Sequence, residues 1–254
     1  MNPYLQSLEK IEFVVTYACT GRCKHCSEGD HTACGEAIDA AVAAAAVTAL
    51  AAHYPLKTVM TFGGEPLLYP DRVFAIMAAA TAAGVIHRQV ITNGYFTADP
   101  DRRRAVAEGL AAAGVNDLLL SVDAFHQETI PLSAVCAFAR DALACGIPIR
   151  LAPAWLVSRD ADNPYNQKTR AILAELAGLG IPEGSGNVVF PEGNACRYLA
   201  EYFVDAHPQN PYVEDEYNVR TLSVEPNGNL LGGNLYRQSI TDLIAQYAPK
   251  GDAL

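Results

Sequence analysis

Tyr17-Ala18-Cys19-Thr20-Gly21-Arg22-Cys23-Lys24-His25-Cys26 sets three thiols within eight residues, and the rest of the chain is read outward from it. The spacing C-x3-C-x2-C lets one short loop wrap a cubic [4Fe-4S] cluster and bind three of its four irons as thiolates. An electron carrier normally uses four cysteines, so three leave one iron open to a small chelating molecule. A zinc site is the alternative, with His25 completing a Cys3His set. The adjacency of His25 and Cys26, however, is tighter than the separated ligand pairs of structural zinc sites. Seven cysteines is an odd number, which speaks against a disulfide framework.

Around this loop the chain repeats. Apolar, β-branched runs at 11–16, 58–62, 89–92, 117–122, 147–152 and 188–190 alternate with helical stretches near 38–53, 71–83, 100–113, 132–145 and 167–179. Gly84, Gly114 and Gly146 stand just past three of the helices. From the second run to the fifth the recurrence is that of a βα unit, so a parallel sheet is expected, with its ligands gathered at the carboxyl ends of the strands. The cysteines, Gly63-Gly64-Glu65-Pro66, Thr92-Asn93 and Ser121-Val122-Asp123 all fall at such ends. After Phe190 the chain becomes rich in Pro, Gly and Asn. A hairpin around Pro226-Asn227-Gly228-Asn229, with Thr221 to Val224 as its first strand, and a short helix near 239–247 are expected there.

These motifs resemble the radical S-adenosylmethionine (SAM) enzymes: a three-cysteine loop after an apolar strand, an aromatic His25 before the last cysteine, and a Gly-Gly-Glu motif after the second strand. The resemblance covers roughly residues 11–190. It implies an α/β fold, a partial (β/α)6 TIM-like barrel over 1–190 that is open on one side. Residues 191–254 then form a hairpin-plus-helix extension like that of peptide-modifying members. Those members hold an auxiliary cluster in this extension, whereas here Cys196 is the single cysteine after Cys145, so one cluster is expected in all.

The same resemblance assigns Cys19, Cys23 and Cys26 to the cluster, and His25, Gly63, Gly64, Glu65, Pro66, Thr92, Asn93, Ser121 and Asp123 to SAM. For Asp123 two readings stand side by side, a ribose contact or a cap on the following helix. His126, in the loop after the fourth strand, is the candidate for binding substrate or moving a proton. Cys34 and Cys196 are candidate hydrogen donors, while Cys136 and Cys145 read as packing. The implied chemistry is reductive cleavage of SAM to a 5′-deoxyadenosyl radical that removes hydrogen from a substrate. That substrate is a peptide or a small metabolite or nucleoside, and a flavodoxin or ferredoxin is the electron donor.

A formal charge of −10 offers no clustered basic surface for nucleic acid. The longest uncharged apolar run, 40–52, is too short to span a bilayer. The amino terminus shows no basic region followed by an apolar one, so residence in a reducing cytoplasm is expected.

Overall fold

The computed structural model describes residues 2–29, 35–204 and 208–250, so Cys34 lies outside the described residues. The elements in chain order begin with β1 (Lys10–Val14), α1 (Ala40–His53), β2 (Thr58–Phe62), α2 (Pro70–Ala82), β3 (His87–Thr92) and α3 (Pro100–Ala112). They continue with β4 (Asp117–Ser121), α4 (Leu132–Ala144), β5 (Ile149–Ala152), β6 (Ala154–Trp155), α5 (Pro164–Leu176) and β7 (Asn187–Val188). The last are α6 (Asn194–Tyr198), β8 (Thr221–Val224), β9 (Asn229–Leu230), β10 (Gly233–Asn234) and α7 (Ile240–Gln246). Helix starts follow local chemistry: Asp39, Asp99 and Asn163 accept backbone N–H groups of the first turn, and Pro70, Pro100 and Pro164 occupy first-turn positions where no N–H is needed.

Six strands form one parallel sheet in the order β5-β4-β3-β2-β1-β8. The α/β fold is thus an open, partial TIM-like barrel. One face of the strands packs against the helices: Ile11, Phe13, Val59, Val90, Leu118, Leu120, Leu151, Leu222 and Val224 join Leu50, Ile76, Met77, Leu110 and Phe138 in one buried cluster. Each such side chain contributes about 1.5–3 kcal/mol by leaving water. The alternate residues face the other way, and there Asp117 accepts Gln89 Nε2 at 2.7 Å and both Nε and Nη2 of Arg150, at 2.8 and 2.6 Å.

Two strand assignments differ from the sequence reading. Thr221 to Val224 is not the first arm of a hairpin but the sixth strand of the sheet, parallel to β1 with Ile11 opposite Leu222. The chain does turn at Pro226–Asn229, with Glu225 N–H donating to Asn229 O at 3.1 Å. The antiparallel pair comes one turn later, between β9 and β10. The run at 188–190 lies beside the continuation of β5, where β7 pairs with β6 in a separate two-stranded ladder. Pro153, which has no N–H to give, interrupts that edge. The ladder resumes through Gly184 N–H to Leu151 O at 2.8 Å and Asn187 N–H to Pro153 O at 2.9 Å.

Candidate metal and cofactor site

The cysteine loop leaves β1 and crosses directly over the end of β2. Gly64 N–H donates to Thr16 O and Glu65 N–H to Ala18 O, both at 2.8 Å. A Cβ on Gly64 would stand 2.2 Å from Ala18 O and 2.6 Å from Tyr17 O, and one on Gly63, at φ +132°, would stand 2.5 Å from Thr16 O. The paired glycines are therefore required by the loop lying on them, a cause the motif alone did not reveal.

The sulfurs gather inside this loop. A Cβ on Gly21 would lie 3.3 Å from Cys23 Sγ and 3.7 Å from Cys19 Sγ, so these two sulfurs flank one glycine. Gly21 N–H donates to Cys19 Sγ at 3.3 Å, and Asn93 Nδ2 does so at 3.6 Å. Burial pushes the Cys19 thiol up to about 11 and moves Cys23 and Cys26 upward as well, and the charge of Asp123 raises Cys23 further. Metal binding must replace those protons. Two sulfurs flanking one glycine, with N–H groups aimed at one of them and the Cys26 thiol three residues further along the same loop, fit the donor set of a cluster bound through three irons.

Glu65, Thr92 and Asn93 form a second layer beneath Cys19. Glu65 is fully buried; its Oε1 accepts Leu67 N–H at 2.9 Å and the Thr92 hydroxyl at 2.8 Å, and its Oε2 accepts Asn93 N–H at 2.8 Å. Burial outweighs these bonds and raises its pKa to about 7. Pro66 opens the short 3-10 turn that Glu65 caps. Thr92 Oγ1 also accepts Gly94 N–H at 3.0 Å. Asn93 Nδ2 reaches Thr20 Oγ1 at 3.1 Å besides Cys19. These side chains tie the ends of β2 and β3 to the loop.

Asp123, Ser121, His25 and His126 lie at the end of β4. Asp123 is wholly buried and accepts four hydrogen bonds: Oδ1 from the N–H groups of Phe125 and His126, both at 2.9 Å, Oδ2 from Ala154 N–H at 3.0 Å and from His126 Nδ1 at 2.7 Å. A carboxylate offers about four lone-pair positions, and these four bonds occupy them; the two from Phe125 and His126 close the turn after β4, while the following helix α4 begins behind Pro131 without a side-chain cap. Burial opposes the Asp123 charge, yet His126 holds its pKa well below the usual carboxylate range; reciprocally, Asp123 raises His126 against the effect of burial. Burial lowers His25 to about 4; its ring lies 4.8 Å from that of Phe125 and 4.9 Å from that of His126. Ser121 ends β4 half-buried, opposite Ala152.

Sequence reasoning missed the far side of the loop. Asn194 donates its backbone N–H to Cys26 O at 2.8 Å and Nδ2 to Cys23 O at 3.2 Å and Gly29 O at 3.3 Å. Phe125 stacks on Tyr165 at 4.6 Å, beside buried Cys23 in a small second core. No local pattern marks these residues; the Gly193-Asn194 pair reads as an ordinary turn.

Known proteins share this fold. The Radical SAM superfamily profile matches residues 13–194. The chain belongs to that superfamily and is an enzyme of the radical SAM class. It is similar to the GTP 3′,8-cyclase of Chlorobaculum tepidum, 28% identical over 123 residues, which is 48% of this chain and 35% of that protein. The GTP 3′,8-cyclase of Picosynechococcus is 40% identical over 67 residues, 26% of this chain and 18% of that one. The match thus spans only about a third of the first cyclase's length. In fold the chain resembles Streptococcus suis SuiB bound to S-adenosylmethionine, with TM-score 0.62, 14% identity, and coverage of 93% of this chain and 65% of that one. It also resembles anSMEcpe with bound AdoMet, with TM-score 0.60, 13% identity, and coverage of 93% and 79%. Among the described residues no helix is long and apolar enough to cross a membrane.

Proposed function

We propose that the chain carries one [4Fe-4S] cluster on Cys19, Cys23 and Cys26 and binds SAM at the iron these leave open, in order to abstract hydrogen from a substrate. The placing of the Cys19 and Cys23 sulfurs around Gly21, with Asn93 and Gly21 donating to Cys19, supports this reading. Cluster and SAM together would supply a 5′-deoxyadenosyl radical, able to attack an unactivated C–H bond. The protein's own part is to hold and orient. Gly63, Gly64, Glu65 and Pro66 form a floor under the loop, and Thr92 and Asn93 fix Cys19 from the side. His25 and Ser121 border the space where SAM would lie. His126, oriented by Asp123, is the group that binds substrate or moves a proton. Free thiols and an oxygen-sensitive cluster suit a reducing cytoplasm, with a flavodoxin or ferredoxin as reductant.

The substrate proposed is a peptide. A structure of this fold, anSMEcpe with bound AdoMet and the Cp18Cys peptide, has TM-score 0.58 to this chain at 13% identity, and the barrel here is open on one side for an extended ligand. The similarity to GTP 3′,8-cyclases favours a nucleotide as the second reading.

Anaerobic reconstitution tests the core of the proposal. About four irons and four sulfides per chain are expected, together with an electron paramagnetic resonance signal that changes when SAM is added. Cys23→Ala should lose both and Cys136→Ala should keep both; a spectrum indifferent to SAM defeats the reading. Deoxyadenosine formed only with a candidate peptide, or only with a nucleotide, chooses between substrates.

A further inference from the structure

Cys23, His25 and His126 make a constellation of their own. Cys23 Sγ, one ring nitrogen of His25 and one of His126 lie within 4.8 Å of one another. His25 Nδ1 is buried and finds no hydrogen-bond partner among the described residues, a condition that buried polar atoms rarely tolerate. His126 is held the opposite way: Nδ1 is taken by Asp123 Oδ2 at 2.7 Å, which in the neutral ring leaves the lone pair on Nε2. Asp123 is itself fixed by three backbone N–H groups, those of Phe125, His126 and Ala154. A carboxylate gripping one imidazole nitrogen so that the other faces a metal is the usual support of histidine ligands.

We propose that the cluster-free chain binds a single Zn²⁺ ion through Cys23, His25 and His126, at a site that shares one sulfur with the cluster loop. Zinc accepts mixed sulfur and nitrogen donors, and three protein ligands leave a fourth position for water. Bonds of about 2.0 Å to nitrogen and about 2.3 Å to sulfur set ligand atoms roughly 3.3–3.6 Å apart, so the widest gap in the trio closes by about 1.2–1.5 Å, within the reach of ring and thiol rotation. Binding replaces the Cys23 thiol proton, which leaves to solvent. Cys19 and Cys26 take no part. Because Cys23 cannot serve both metals, the zinc-loaded and cluster-loaded states exclude each other, and zinc must leave before the loop accepts iron.

The test uses the full chain, metal-free and anaerobic, titrated with Zn²⁺ against a chromophoric chelator, with Co²⁺ as spectroscopic substitute. One ion per chain is expected, with a cobalt charge-transfer band from a single thiolate. Cys19→Ser and Cys26→Ser should keep the affinity. Cys23→Ser, His126→Ala and His25→Phe should weaken it at least tenfold, His25→Phe preserving the ring against Phe125 and thus the local packing. Zinc-loaded protein should take up no iron or sulfide until a chelator is added. No binding by the wild type, unchanged affinity in both histidine variants, or loss in Cys19→Ser, which marks a three-thiolate site, would each overturn the assignment. None of these results touches iron and sulfide uptake by the metal-free chain, so the cluster reading stands or falls separately.

Discussion

Asn194 and Cys26 are joined by a backbone hydrogen bond of 2.8 Å, and the Asn194 side chain reaches Cys23 O, 171 positions earlier in the chain. The cysteine loop is thus held from its far side by the segment that follows β7. Asn194→Ala leaves the carbonyls of Cys23 and Gly29 without this donor and should cost about 1–3 kcal/mol. Urea unfolding measures that loss, and a chelator should strip iron faster from the reconstituted variant.

Gly64→Ala puts a methyl group 2.2 Å from Ala18 O, against backbone that has nowhere to go. A loss of about 1–3 kcal/mol is expected, with a displaced loop and reduced iron uptake. Gly178→Ala, whose Cβ meets nothing within 4 Å, is the control and should leave stability and iron content as they are. Equal behaviour of the two variants would mean the loop does not rest on Gly64.

Glu65 makes stability depend on pH. Its folded pKa is raised from 4.5 to about 7 by burial, so the folded chain holds the proton more tightly than the unfolded one. The stability this supplies is complete below about pH 4.5 and is lost as the pH climbs to about 7, a fall of roughly 3 kcal/mol. Unfolding free energies of wild type and Glu65→Gln at pH 5 and pH 8 measure it. The wild type should lose ground to the variant over that interval, and a parallel course refutes the assignment.

Truncation after residue 190 removes β8 and Asn194 together. It exposes the edge of β1 along Lys10 to Phe13 and takes Leu222 and Val224 from the core. The fragment 1–190 should lack a cooperative thermal transition by circular dichroism; a sharp transition would show that the barrel stands without its last strand.

Much of this architecture was legible in the sequence because its causes are local. Proline at helix starts, glycine past helix ends and β-branched runs at regular intervals each act over a few residues, and the cysteine spacing specifies its chemistry within eight. What stayed hidden depends on distant partners. Thr221-Leu222-Ser223-Val224 before a Pro-Asn-Gly turn reads as a hairpin arm, and only the free edge of β1, far back in the chain, turns it into a parallel strand. Asp123 reads equally as ligand or cap, and its bonds to Ala154 and to the His126 ring join groups that no local pattern pairs with it. The two glycines of the Gly-Gly-Glu motif read as room for a ligand, and nothing local shows that Thr16 also crowds Gly63 and that Tyr17 and Ala18 crowd Gly64.

The placement of β8 against β1 has a bearing on how the enzyme matures. The sulfur-bearing loop is synthesised before the asparagine that clasps it, 171 positions further on, and before the strand that pairs with β1. A nascent chain therefore presents the three thiols before their cradle is finished, and the completed loop has to wait for Asn194 and β8 to be made.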